Sequence, residues 1–184
     1  PCISVVLPVR DAQSTIAEAL ESIRTQTLHN WECVIIDDHS KDSTSNEIQR
    51  FIALDSRFRV LSAQGKGIVS ALNQGIDAAK ADWIARMDAD DISLPTRFEK
   101  KWGLLQEDPT LQVISSEVAV FPEMTNGMAS YIDWLNSLKD PSSIRKDMFV
   151  ESPIAHPAAL FLKKSVVDLG GYREGDFPED YDLW

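Results

Sequence analysis

A strand followed by a helix, four times over with short connections, is the pattern that most constrains this chain. Residues 3–9, ISVVLPV, form an apolar run rich in β-branched residues and read as a buried strand stopped by Pro8. Ser14 or Thr15 suits a helix cap, with Glu18 three positions after Thr15 and Ile16, Leu20 and Ile23 on one face. WECVII is a second strand ending in Asp37 and Asp38, and Ile48, Phe51 and Ile52 mark the inner face of a second helix. FRVLS, residues 58–62, is a third strand, after which GKG makes a turn. Ile68, Ala71, Leu72, Gly75, Ile76 and Ala79 then keep helical rhythm, WIARM is a fourth strand, and Pro95 suits the first turn of a helix with Phe98, Trp102 and Leu105 inward.

This alternation predicts an α/β fold: a mostly parallel central sheet with helices on both faces. Right-handed crossovers put the carboxyl ends of the strands on one edge, where ligands of open sheets bind. Pro8 to Asp11, Asp37 and Asp38, Gly65 to Gly67, and Asp88 to Asp91 all follow strands, so all should gather there. Beyond about residue 110 the rhythm is lost. LQVISSEVAVF reads as one or two strands, 128–149 as a helical stretch, and AALFLKK as a further strand. Tyr131 and Trp134, in that irregular part, read as core rather than as a sugar-stacking surface.

At 184 residues the chain has the length of one domain, and EDYDLW stops in mid-pattern, as in a domain cut at its carboxyl end. Hydrophobic residues make up 43% and charged residues 26%, with no apolar run long enough to span a bilayer. The net charge of -11 and the lack of any basic stripe argue against a nucleic-acid partner. Cys2 and Cys33 lie in apolar runs and read as reduced core thiols, which points to an intracellular compartment.

RMDADD, residues 86–91, crowds Asp88, Asp90 and Asp91 after a strand. Asp91 or Ser93 could cap the following helix, but capping does not explain three acids. An EF-hand loop fails because Ile92 and Ser93 stand where it needs an oxygen ligand and a glycine. A phosphoacceptor receiver domain fails because its third strand should end in Asp and this one runs into Ser62 and Ala63. The first turn, PVRDAQST, has no glycine for a dinucleotide pyrophosphate. What remains is a pair of carboxylates one residue apart, able to hold a hard divalent cation that bridges the phosphates of a nucleotide.

ISVVLPVRDAQSTIAEALESIRTQT, WECVIIDDHSKDST, ALNQGIDAAKADWIARMDADD, HPAALFLKKSVVDLGGYRE and PEDYDLW, in this order and spacing, resemble the inverting family 2 glycosyltransferases of GT-A fold. The resemblance implies a single GT-A domain over 1–184, with a nucleotide-sugar-binding half at 1–110 and an acceptor-side half at 111–184. It implies transfer, with inversion, from a nucleotide-diphosphate donor, expected to be a UDP-sugar, to a hydroxyl of a glycan or lipid-linked saccharide.

Carried over by position, Pro8, Val9, Arg10, Asp11 and Asp38 line the base and ribose pocket, with Asp38 accepting a hydrogen bond from a uracil-type imide. Gly67, Asn73, Asp88 and Ala89 belong to the same nucleotide-sugar site. Many relatives carry an arginine shortly before the asparagine; here Ala71 and Leu72 precede Asn73, so Lys66 is the cation expected at the diphosphate. Asp90, with Asp88, is the expected ligand of manganese or magnesium. Glu179 and Asp180 match the family's acidic pair, Asp180 being the expected general base. His156 is the candidate on the acceptor side, against a structural role near a strand start. The implied setting is cytoplasmic, at the inner face of a membrane reached through segments outside this chain. The alternatives are a non-catalytic nucleotide-sugar-binding or regulatory module of the same fold, and a nucleotidyltransferase, whose glycine-rich basic loop is missing from PVRDAQST.

Overall fold

The first strand is apolar on both sides, which demands cover on both faces of the sheet it enters. The computed structural model describes residues 1–121 and 126–184. In chain order its elements are β1 (Ile3–Val9), α1 (Ile16–Arg24), β2 (Trp31–Asp37), α2 (Thr44–Leu54), β3 (Phe58–Ser62), α3 (Ile68–Ala78), β4 (Trp83–Arg86), α4 (Arg97–Glu107), β5 (Val113–Ile114), α5 (Asn126–Ser137), α6 (Pro141–Asp147), a 3₁₀ turn (His156–Ala158), β6 (Leu160–Leu162), α7 (Lys163–Asp168) and α8 (Glu179–Leu183).

The six strands lie in the order β3-β2-β1-β4-β6-β5. β1 to β4 are parallel, with Ile3 opposite Trp31 on one side and Trp83 on the other. β6 runs antiparallel to β4, and β5 antiparallel to β6. The parallel α/β half and the mixed second half expected from sequence are therefore both present.

Alternation along β1 decides which helix each side chain meets. Ile3, Val5, Leu7 and Val9 pack with Ile16, Leu20 and Ile23 of α1, Ile48 of α2, and Phe98 and Leu105 of α4. Each such burial contributes about 1.5–3 kcal/mol. Val6 and Ile84 face the other way onto Leu72 and Ile76 of α3, and Val34 and Ile36 onto Ala71. A Cβ on Gly75 would stand 2.4 Å from Val6 Cγ1, so glycine there lets α3 sit close to β1.

Several local expectations are corrected. Pro8 does not stop β1, which continues to Val9. Met87 N–H donates to Val6 O, so Pro8 faces the same neighbour two residues on, beyond the last β1–β4 pair at Val6 and Arg86, where no ladder needs its missing N–H. Thr15 precedes α1, but its hydroxyl reaches back to Ala12 O and does not cap. Neither Asp91 nor Ser93 caps α4, which begins at Arg97 after Thr96. Ser93 instead meets Gln26 Nε2 through both its carbonyl and its hydroxyl. On α4 it is Lys101 that is buried with Phe98 and Leu105, while Trp102 is half-buried.

Residues 111–121 keep only the two-residue β5, and the helical stretch divides into α5 and α6 at the capping box of Asp140 with Ser143. AALFLKK gives a strand only at 160–162 before α7 begins. Tyr131 is not core: it is 43% exposed, its ring 5.8 Å from that of Trp134. Both cysteines are free thiols, Cys33 fully buried and Cys2 partly so. Among the described residues no helix is long and apolar enough to cross a membrane.

Candidate active site

The carboxyl edge of the parallel strands carries two neighbouring constellations. The first is built where β1 and β2 end. Residues 11–13 are stitched to residues 40–44: Asp11 N–H donates to Ser40 Oγ at 3.0 Å, Lys41 N–H to Asp11 Oδ1 at 2.6 Å, and Ala12 N–H to Thr44 Oγ1 at 2.7 Å. Asp11 and His39 both hold positive φ, 49° and 59°, to make these turns.

Asp38 is thereby held 6% exposed at the centre of the edge. Its Oδ2 accepts from Gly67 N–H at 3.0 Å and lies 3.6 Å from Arg10 Nη1. Gly67, at φ 86°, opens α3 and turns this N–H inward. Asp38 Oδ1 is buried with no hydrogen-bond partner among the described residues. A buried carboxylate oxygen without a partner is costly unless a ligand donor completes it.

The second constellation follows β4. Arg86, the last residue of that strand and 3% exposed, forms an ion pair with Asp88 Oδ1. Ala89 is buried and Asp90 exposed. Burial, with the charges of Asp88 and Asp90 beside it, raises the Asp91 carboxyl above its ordinary range. Such crowding is what a divalent cation relieves, and oxygen ligands suit manganese and magnesium. Among the described residues no three acids, histidines or cysteines form a closed cage. That donor set fits an ion held by one or two carboxylates together with substrate phosphates.

Behind the acids, α4 supplies two cations, Arg97 half-buried and Lys101 buried. Arg97 Nη2 donates to Arg86 O and to Pro157 O, each at 2.8 Å, and Lys101 Nζ donates to Ala158 O. Burial lowers Arg97 to about 10, against the opposing pull of Asp91, and lowers Lys101 well below the usual lysine range. These contacts fix the 3₁₀ turn that starts at His156. The His156 ring is 7% exposed, with Nε2 2.7 Å from Tyr172 Oη and Nδ1 3.6 Å from Glu179 Oε1. Burial first, then the charge of Arg86, lowers its pKa to about 2, so the ring is neutral and the contact with Glu179 is not an ion pair. Asp180 Oδ2 accepts from Ser152 Oγ at 3.1 Å.

The structure thus brings Arg10, Asp38 and Gly67 together, and joins Asp88 through Arg86 to the surroundings of His156, Glu179 and Asp180. Pro8 and Val9 are buried in β1, their side chains part of the sheet, and Lys66 is exposed with no ion-pair partner among the described residues. Asn73 stands apart: its amide donates to Tyr172 O and accepts from Tyr172 N–H, both at 2.9 Å, which joins α3 to the GGY turn. Clefts of about 540 Å³ beside α1 and about 470 Å³ beside α3 include none of Asp38, Asp88, Asp90 or Asp180.

Arg86, Arg97, Lys101, Ser152 and Tyr172 were not singled out from sequence. Arg86 was visible as a lone charge inside an apolar strand, and Arg97 and Lys101 as an i, i+4 pair adjoining the buried face of α4. Ser152 carried no signal.

A family model described as glycosyl transferase family 2 matches residues 4–170. The O-antigen biosynthesis glycosyltransferase WbnJ of Escherichia coli is 31% identical to this chain, over 99% of it and 70% of that protein. A UDP-Gal:alpha-D-GlcNAc-diphosphoundecaprenol beta-1,3-galactosyltransferase of Escherichia coli is 31% identical over 100% of this chain and 66% of its own length. The mannosyltransferase PcManGT of Pyrobaculum calidifontis, solved in complex with GDP-Man and Mn2+, matches with a TM-score of 0.73 at 20% identity, covering all of this chain and 50% of that one. The chain therefore spans about two thirds of the length of these relatives and half of the solved enzyme.

Proposed function

Because this chain belongs to glycosyl transferase family 2, we propose that it moves a sugar from a uridine diphosphate donor to a hydroxyl of a glycan or lipid-linked saccharide, with inversion. The observation that carries the reading is Asp38, whose Oδ1 is buried without a partner on the edge where an imide N–H would meet it. The other oxygen, Oδ2, is held by the Gly67 N–H and lies 3.6 Å from the exposed Arg10 guanidinium, which leaves Oδ1 for the ligand. Lys66, at the start of α3, is free to turn toward a diphosphate. Asp90 and Asp88 would hold manganese or magnesium, which supplies positive charge to the leaving diphosphate.

Inversion places the acceptor hydroxyl on the face opposite the leaving group, where Asp180 is the candidate base. Proton transfer to a positioned carboxylate in the transition state is worth about 10²- to 10⁴-fold. Residues 1–110 would bind the donor and 111–184 the acceptor side. The free thiols of Cys2 and Cys33 support a reducing, cytoplasmic setting, and contact with the inner face of a membrane would come through segments outside this chain. The relatives named above support the substrate classes; the galactosyltransferase is named for a UDP-sugar donor and a lipid-linked acceptor.

Thermal unfolding with manganese and a panel of nucleoside diphosphates tests the reading. A ligand at about 100 times its Kd adds roughly 2.7 kcal/mol, a rise of about 5–11 °C in Tm for a chain of this size. UDP should stabilise the wild type only with metal, and Asp90→Ala should remove that effect. A wild type shifted by no nucleoside diphosphate, with or without manganese, defeats the reading.

A further inference from the structure

α8, which carries Glu179 and Asp180, has five residues and no side-chain cap at Pro178. A helix so short has no independent stability in water, so the direction of its carboxylates depends on what it docks against. Arg173 pairs with Asp182, but the arginine is largely exposed, and such pairs are weak and screened. At its far end Leu183 and Trp184 pack on the apolar cluster that holds Phe161 and Tyr172, whereas the polar contacts to Glu179 and Asp180 come from one segment, residues 152–156. Ser152, 7% exposed, donates to Asp180 Oδ2 at 3.1 Å, and His156 touches Glu179 while the Trp184 ring, just past the helix, lies 6.2 Å from its own.

That segment is itself held from behind. Pro157 O and Ala158 O accept from Arg97 and Lys101, and Arg97 also accounts for the carbonyl of Arg86, the partner of Asp88. One hydrogen-bonded frame therefore supports the proposed metal-binding acids and the short helix of the proposed base. Neutral His156 bonds Tyr172 and contacts Glu179 without presenting a charge that would compete for the carboxylates.

Resting on the transferase reading above, we infer that Ser152 and His156 are positioning residues: they dock α8 and aim the Asp180 carboxylate at the acceptor hydroxyl. Neither is a catalytic residue, and the acceptor-side contact expected of His156 is replaced by this role, since its nitrogens face Tyr172 and Glu179.

The experiment compares wild type, Ser152→Ala, Ser152→Thr and His156→Gln in two measurements. Amide hydrogen exchange over residues 179–184 needs no substrate and reports docking directly. Ser152→Ala should speed it about 10- to 100-fold, the scale of one lost hydrogen bond to a charged group. Turnover of UDP-glucose, UDP-galactose and UDP-N-acetylglucosamine with manganese, released UDP being the signal, gives kcat and KM. A misaimed base should lower kcat roughly 10- to 100-fold with donor KM unchanged. Ser152→Thr should restore both, and His156→Gln should loosen α8 in the same assay. Unchanged exchange in Ser152→Ala overturns the inference; so does unchanged kcat, or a donor KM that rises in step with the loss. A wild type that turns over none of the three donors counts against the transferase reading, and the exchange measurement still decides whether Ser152 docks α8.

Discussion

Lowering the pH from about 7.5 to about 5 should destabilise this protein through one residue, His156. In the folded chain its ring stays neutral because burial and the nearby Arg86 hold its pKa at about 2. In the unfolded chain the same ring titrates near its ordinary value of about 6.5. Below that value the unfolded state takes up a proton that the folded state refuses, so stability falls as pH falls. At about pH 5 the difference is roughly 1.5 pH units at 1.36 kcal/mol each, or about 2 kcal/mol, and it depends only on the unfolded value because the folded one lies far below. For a chain of this size that is about 4–8 °C in Tm. Glu32, Asp37 and Asp55, held below the usual carboxylate range, lose their contribution only at lower pH. Asp91, held above it, works in the opposite direction by accepting a proton in the folded state as pH falls. These carboxylates are common to wild type and His156→Gln, whose side chain can still bond Tyr172 but does not titrate. The difference between the two proteins in their change of Tm from about pH 7.5 to about pH 5 isolates the histidine. Parallel curves for the two would refute the argument.

Three further outcomes follow from particular contacts. Asp38→Asn removes the charge from the buried acceptor while leaving an oxygen for Gly67 N–H, so UDP affinity measured by calorimetry should fall about 10- to 100-fold with Tm nearly unchanged; equal affinity would remove Asp38 from the site. Gly75→Ala places a methyl 2.4 Å from Val6 Cγ1 and should cost about 1–3 kcal/mol in urea unfolding, less up to about 1 kcal/mol of helix propensity, and the cost should largely vanish in a Val6→Ala background. The buried Cys33 thiol, pushed up by burial and by Glu32, should resist a disulfide reagent that labels Cys2 until the chain unfolds; rapid labelling of both thiols under native conditions would contradict the burial.

The parallel half of the fold was legible because its strands are buried on both faces and its helices on one. Period-2 and period-3.6 apolar patterns then carry the assignment, and the five-residue β3 falls on the residues read from sequence. In the antiparallel half the sequence located the strands but not their bounds or pairing: β5 has two residues and β6 three, too short for any period to register. The edge that gathers Asp38, Gly67 and Asp88 followed from topology, since every parallel strand ends there.

What the sequence by itself determined is the alternating fold, the edge on which acidic and glycine residues collect, and the family that their order resembles. Tertiary structure alone decided how the polar groups are used: Asn73 joins two segments 99 residues apart, Asp88 pairs with a buried arginine, and Ser152 meets Asp180 across 28 residues. Apolar burial repeats along the chain with the period of its elements and so leaves a pattern to read. A hydrogen bond between distant residues has no period, and only the packed sheet and helices bring its two ends within 3 Å or so of each other.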